Sequence, residues 1–337
     1  MRNKRTATGA SIGFVICLVM ALCLPALAQT DPIPSWTDGP AKQAIIGFVR
    51  ATADKANPGY VAPEARIAVF DQDGTTWVEQ PVYPQAMFAF HQVGVMAAKN
   101  PELAAAEPFK TVLSGDRASI ARLSMEDIEK ILVATHTGMT VEAFQTSVKD
   151  WIAKAKHPRW NRIFTELVYQ PMLDVMKYLR DNGYKTYLVT GGGQDFVRAF
   201  SEPVYGIPPE QVVGSAGATK FGYDGNGRAI LTKAPKVVLF DDKAGKPTGI
   251  HLMIGRRPVA AFGNSTGDQQ MLEYTQAGGG RRLMMLVQHD DDKREYAYGP
   301  KSEVGTFPDT LVAEAKEKGW IVISMKNDWK RIFAFEQ

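Results

Sequence analysis

The stretch Ile67-Ala68-Val69-Phe70-Asp71-Gln72-Asp73-Gly74-Thr75-Thr76-Trp77 runs from a short apolar block straight into acids and hydroxyls. Ile67 to Phe70 reads as a strand buried on both faces. It stops abruptly at two aspartates, a glycine and a threonine. Carboxylates beside a core cost free energy unless they are paired, hydrogen-bonded or bound to a metal. In open parallel α/β sheets, ligands bind at the carboxyl ends of strands. Asp71 and Asp73 are therefore candidate site residues, and their partners must come from elsewhere in the chain.

Upstream, the first residues read as a processing segment. Arg2, Lys4 and Arg5 precede an apolar run from Ala10 to Leu24, and Ala26-Leu27-Ala28 supplies small residues in an A-x-A pattern. Residues 1–28 are expected to be a signal peptide cleaved after Ala28, leaving no stable membrane anchor and a periplasmic or secreted protein. The formal charge of +3 equals the three basic residues of that segment, so the remaining chain is near neutral. Bulk electrostatic attraction to nucleic acid is then excluded. Both cysteines, Cys17 and Cys23, also lie there. The rest of the chain has no cysteine for a disulfide, a thiolate nucleophile or a metal site.

Downstream the pattern changes twice. Pro40 to Ala53 has helical spacing before the quoted stretch. From Pro81 to about Arg159 strand alternation is missing, and helices are predicted over 85–99, 118–123, 124–136 and 141–156. Ser124 with Asp127 resembles a capping box, and Thr140 is a candidate N-cap. Strand and helix signals then alternate. Helices are predicted over 171–181 (with Leu173, Val175, Met176 and Leu179 inward), 194–200, 246–254 and 308–318. Strands are predicted over 185–189, 211–214, 258–262, 282–287 and 320–324, with a hairpin over 221–238. The expected fold is α/β, a doubly wound, mostly parallel, Rossmann-like sheet with an inserted all-helical cap domain. Its domains are residues 29–80 and 160–337 as catalytic core and 81–159 as cap.

Four element ends carry polar groups that converge if the sheet is parallel. They are Asp71 with Asp73, Thr190 with Gly191 and Gly192, Lys246, and Asn264 with Asp268. In this order they resemble the haloacid dehalogenase superfamily of hydrolases. Asp71-Gln72-Asp73-Gly74-Thr75 is similar to its opening D-x-D-G-T motif, and Thr190 after Tyr187-Leu188-Val189 to its hydroxyl at a strand end. Lys246 is similar to its helix-opening lysine, and Gly263-Asn264-Ser265-Thr266-Gly267-Asp268 to its last acidic cluster. Lys243 is an alternative to Lys246, which Pro247 favours as a first-turn position. The helical insertion is similar to the cap of the phosphoserine-phosphatase-like branch. Asn264 departs from the pattern, since many members carry an aspartate there.

The resemblance implies a Mg²⁺-dependent phosphatase acting on small phosphate monoesters, including phosphoserine-type substrates, through an aspartyl-phosphate. The residue types agree. A carboxylate meeting a phosphate dianion is repelled by roughly 4 kcal/mol per charge pair at about 4 Å and an effective dielectric near 20. Lys246 and Mg²⁺ offset this. Asp71 is the expected nucleophile and Asp73 the acid and base. Thr190 and the Gly191 N–H are expected to hold phosphoryl oxygens. Gly191 and Gly192 allow close backbone approach to substrate. Asp71, Asp268 and Asn264 are candidate metal ligands, with the Asp73 carbonyl implied by the resemblance. Whether Asn264 or Asp268 touches the ion stays open. Glu79 lies near where this branch places a substrate-binding glutamate, against a solvated surface acid as alternative. His289, Asp290, Asp291 and Arg294 read as a charged surface loop in preference to a metal cluster. Other histidines are assigned to packing or surface. Carbon–halogen hydrolysis and a non-catalytic phosphate- or metal-binding protein are the alternative functions.

Overall fold

A computed structural model describes residues 30–336. The predicted signal segment, 1–28, lies outside the described residues. Seven strands form one sheet: β1 (Ile67–Phe70), β2 (Lys185–Gly193), β3 (Val212–Tyr223), β4 (Ala229–Leu239), β5 (Ala260–Gly263), β6 (Leu283–Gln288) and β7 (Ile321–Ser324). Their order is β4-β3-β2-β1-β5-β6-β7. All neighbours are parallel except β3 and β4. β1 is thus the middle strand, and all four of its residues are buried.

The helices in chain order are α1 (Pro40–Ala53), α2 (Pro84–Ala97), α3 (Pro101–Ala105), α4 (Phe109–Ser114), α5 (Arg117–Ile120), α6 (Met125–His136), α7 (Val141–Ile152), α8 (Gln170–Asp181), α9 (Gln194–Arg198), α10 (Ser201–Tyr205), α11 (Gly245–Ile254), α12 (Gln269–Gln276), α13 (Asp309–Lys318) and α14 (Met325–Asp328). The period-2 rule divides β1 between two cores. Ala68 and Phe70 join one apolar cluster, and Ile67 and Val69 join the other. That is the doubly wound α/β arrangement expected from the sequence. Phe70 stacks on Phe262 of β5 with ring centroids 4.4 Å apart. Such a pair adds about 0.5–1.5 kcal/mol to the burial of its rings.

Residues 84–152 carry the six helices α2 to α7, joined by short turns. Ser124 closes the predicted capping box with Asp127, and Thr140 caps α7 by accepting from Ala143 N–H. Phe88, Phe144, Val148, Trp151 and Ile152 share an apolar cluster with Trp77, Phe164 and Phe196. The hairpin β3–β4 reaches the turn before α7: Gly138 N–H donates to the Lys233 carbonyl and Lys233 N–H to the Met139 carbonyl, both at 2.9 Å.

Several boundaries differ from expectation. α3, α4, α10, α12 and α14 were not anticipated, being four to eight residues long and too short to show a helical period. β3 is a twelve-residue strand, not a short one over 211–214, because its second half pairs with β4 instead of packing on the core. In α8 the inward set is Met172, Val175, Met176 and Leu179, while Leu173 is half-buried. Those four follow i, i+3, i+4, i+7, which Leu173 does not. No described helix is long and apolar enough to cross a membrane.

Candidate active site

Lys246 connects the elements that converge at the carboxyl ends of the central strands. It sits in the first turn of α11, and only 2% of it is exposed. Its Nζ donates to Asp71 Oδ1, to Asp268 Oδ1 at 2.6 Å, and to the Val189 carbonyl of β2 at 3.0 Å. Burial works against its charge, but Asp268 and Asp71 hold the proton, so its pKa is raised. Among the described residues, Lys246 and not Lys243, the alternative in sequence, forms the ion pairs with these carboxylates.

Asp71 follows β1 directly, and its backbone N–H donates to the Phe262 carbonyl at 2.9 Å. Burial first, then the Asp268 charge, push its carboxyl well above the usual range; Lys246 opposes them. Asp73 lies one turn further. Burial raises its pKa to about 6, against the hydrogen bond from Trp77 and the Lys246 charge. Trp77 Nε1–H donates to Asp73 Oδ1 at 2.7 Å, and the indole packs in the core at 1% exposure. Gly74, with φ of 73°, turns the chain between them. A Cβ there would collide with Asn264 Nδ2 and the Glu79 carboxyl. Only glycine allows that approach at this φ.

Thr190 and its glycines stand at the end of β2, where the register with β3 shifts between Thr190 and Gly193. Thr190 is 1% exposed, and its Oγ1 accepts from Gly192 N–H at 3.0 Å. The Gly191 carbonyl accepts from Ser215 Oγ at 2.7 Å. The glycines thus bring bare backbone beside Asp73 and Thr190.

Asn264 and Asp268 face the site with different duties. Asp268 Oδ2 accepts from the N–H groups of Asn264 (2.9 Å) and Ser265 (3.1 Å), while Oδ1 accepts from Lys246. Both its oxygens are engaged in holding the loop and the lysine. The Asn264 amide oxygen accepts from Thr75 Oγ1 at 3.1 Å, and its Nδ2 donates to Glu79 Oε1 at 2.7 Å.

Two surface readings are overturned. Glu79 is not a solvated acid: it is 2% exposed, accepts from Tyr298 and Asn264, and burial raises its pKa to about 8. His289 does not lie in a charged surface loop. It is 3% exposed, donates from Nε2 to the Gly74 carbonyl at 2.7 Å, and pairs through Nδ1 with the fully buried Glu295 at 3.1 Å. Burial opposes its charge, but Glu295 and Glu79 raise its pKa. The sequence hides this because Asn264 and Gly74, the partners that bury Glu79 and His289, lie far away in the chain.

The sequence also missed Gln85 and His136. Gln85, in the first turn of α2, accepts from Gly193 N–H at 2.7 Å and lies 3.3 Å from His136 Nε2. The only early signal was Pro81 and Pro84, which start a helix just after the acidic stretch.

The donor set fits a Mg²⁺ ion. Asp71 and Asp268 are buried around the single Lys246 ammonium, with Asp73 and the Asn264 amide beside them. Burial first, then the Asp268 charge, raise Asp71 against Lys246, and a further cation would offset that cost. Among the described residues no three His, Cys, Asp or Glu side chains form a ready-made cage. Mg²⁺ commonly binds through one or two carboxylates and keeps several waters.

A family model described as haloacid dehalogenase-like hydrolase matches residues 68–273, more than half of the chain. No curated protein matches it. Among solved structures, a functionally unknown protein from Anaerococcus prevotii DSM 20548 is 16% identical at a TM-score of 0.49, covering 74% of this chain and 86% of that one. A protein of unknown function from Bordetella pertussis Tohama I is 15% identical at a TM-score of 0.47, covering 77% and 97%. A phosphoserine phosphohydrolase-like protein from Francisella tularensis subsp. tularensis SCHU S4 is 14% identical at a TM-score of 0.37, covering 75% and 98%.

Proposed function

Since the chain belongs to the haloacid dehalogenase-like hydrolases, we propose that it is a Mg²⁺-dependent phosphomonoesterase working through an aspartyl-phosphate on Asp71. The observation that carries this reading is the buried Lys246 ammonium shared between Asp71 and Asp268, with Asp73 beside it. A nucleophilic carboxylate needs its charge offset before it can approach a phosphate dianion.

In this reading Asp71 attacks phosphorus, and the P–O bond to the leaving group breaks. Asp73, whose burial favours its protonated form, delivers a proton to the departing oxygen. It then takes a proton from the water that hydrolyses the aspartyl-phosphate, which regenerates Asp71. Thr190 Oγ1 and the Gly191 N–H hold the phosphoryl oxygens as charge shifts. Lys246 fixes Asp71 and keeps Asp268 in place. Asp71, the Asp73 carbonyl and the Asn264 amide oxygen would hold Mg²⁺; Asp268, with both oxygens engaged, supports the site through Lys246 and the loop. When bound, the ion neutralises phosphoryl charge.

The helical segment 81–159 acts as the cap that excludes water and meets the leaving group. Small phosphate esters are the substrates, and residues 1–28 support an exported place of action. The test is turnover of an aryl phosphate and a panel of alkyl phosphates with Mg²⁺ and with EDTA. Expected is Mg²⁺-dependent phosphate release that Asp71→Asn abolishes. Turnover that survives that substitution, or metal-independent release of halide from a haloacid without phosphatase activity, overturns the proposal.

A further inference from the structure

Gln85 is held by a directed chain of hydrogen bonds. Thr135 Oγ1 donates to the Ile131 carbonyl at 2.7 Å, which uses its only proton. It must therefore accept from His136 Nδ1–H, 2.7 Å away. That leaves His136 Nε2 as an acceptor for the Gln85 amide N–H at 3.3 Å. The Gln85 carbonyl in turn accepts from Gly193 N–H at 2.7 Å. Every donor has an acceptor only if His136 is neutral and carries its proton on Nδ1. Burial first, then the Lys233 charge, lower its pKa to about 4, while Asp195 acts in the other direction.

The amide held this way sits over the reactive groups. The point where a Cβ would stand on Gly192 is 3.1 Å from Gln85 Oε1, 3.2 Å from Thr190 Oγ1 and 3.9 Å from Asp73 Oδ2. Gln85 thus lies near Asp73 Oδ2, the carboxyl oxygen not engaged by Trp77. After its two fixed bonds, the amide keeps one N–H and one oxygen lone pair for a ligand. The surrounding side chains are apolar or already paired: Phe88 and Phe144 flank His136, and Lys233 is ion-paired with Asp195.

We infer that Gln85 is the residue that selects the leaving group, and that it takes an uncharged one carrying a hydroxyl or carboxamide close to the ester oxygen. A hydroxyl matches both free valences of the amide. The carboxylates near this point are engaged: Asp195 is neutralised by Lys233, and Asp73 is the proton donor to the leaving oxygen. Phosphoserine-type zwitterions are therefore disfavoured against phosphorylated polyols. His136 is a positioning residue that fixes the amide. The inference rests on the phosphatase reading above.

The test compares the full chain with Gln85→Ala and the near-isosteric Gln85→Met on three Mg²⁺-supplemented substrates: an aryl phosphate, glycerol 3-phosphate and phosphoserine. The wild type should prefer glycerol 3-phosphate to phosphoserine. Both variants should lose roughly tenfold or more in kcat/KM for glycerol 3-phosphate, since an amide-to-hydroxyl bond is lost in a desolvated site. The loss on the aryl phosphate, which offers the amide no hydroxyl, should be at least about fivefold smaller. His136→Phe should raise KM for glycerol 3-phosphate and leave kcat on the aryl phosphate unchanged. Equal losses on both esters, loss on neither, or a wild-type preference for phosphoserine overturns the inference while the phosphatase reading stands. A wild type inactive on every ester overturns both. Melting temperatures of the variants identify any that fail to fold, and Gln85→Met then decides.

Discussion

Asn264 Nδ2 donates to Glu79 Oε1 at 2.7 Å, and this bond determines which end of the amide faces Thr75. With the nitrogen committed to a carboxylate, the oxygen is the atom left to accept from Thr75 and to ligate an ion. Partners behind a metal ligand typically contribute 10–100-fold in affinity or activity. Glu79→Ala should therefore weaken Mg²⁺ binding by about that factor, measured by calorimetric titration of the folded variant. An unchanged affinity would remove Glu79 from the metal site.

Removing the lysine should expose how strongly it holds the two acids. Lys246→Ala leaves Asp71 and Asp268 buried without their shared cation. Breaking a buried ion pair from one side costs on the order of 3–5 kcal/mol. Denaturant unfolding should show a loss of that order together with loss of turnover. A variant as stable as wild type contradicts the pairing.

The two roles assigned to Asp73 separate in time. With an aryl phosphate, the leaving group needs little help from an acid, so Asp73→Asn should slow hydrolysis of the intermediate more than its formation. Steady-state turnover should fall about 10²–10⁴-fold. A pre-steady-state burst of aryl alcohol near the enzyme concentration should appear. A uniform loss with no burst assigns the base to another group.

Asp241, which the Lys246 charge reaches, supplies a pH test. It is fully buried, and neither carboxyl oxygen has a hydrogen-bond partner. Burial raises its pKa from 3.8 to about 7, against the Lys246 charge and with that of Asp242. Between those values the folded chain holds a proton that the unfolded chain has released. Stability is then lost as pH rises from about 4 to about 7. Asp241→Asn removes this penalty, so its melting temperature should exceed that of wild type more at pH 8 than at pH 5. A gain of up to about 4 kcal/mol at pH 8 is expected. Equal differences at both pH values refute the buried, unpaired acid.

The legible parts of the chain were those with a local rule behind them. The buried run Ile67 to Phe70 announces a central strand, and α1 and α8 follow from apolar spacing. Ser124 and Thr140 predict their helix starts because an N-cap satisfies backbone donors within three residues. Gln85, His136, Glu79 and His289 escaped the same treatment. Gln85 bonds to His136 and Gly193, 51 and 108 residues away, Glu79 to Asn264, 185 away, and His289 to Gly74, 215 away, and no spacing in the sequence signals such contacts.

By itself, then, the sequence determined an α/β sheet with acids, a hydroxyl and a lysine at its strand and helix ends, because periodicity and capping are short-range physics. Only the tertiary structure decided that Lys246 and not Lys243 holds Asp71, that Asp268 is spent on its own loop, and that Glu79 is buried against Asn264. Which of several similar charged groups is desolvated, and beside which partner, depends on how distant elements pack. That packing determines whether a carboxylate is a surface charge or a site.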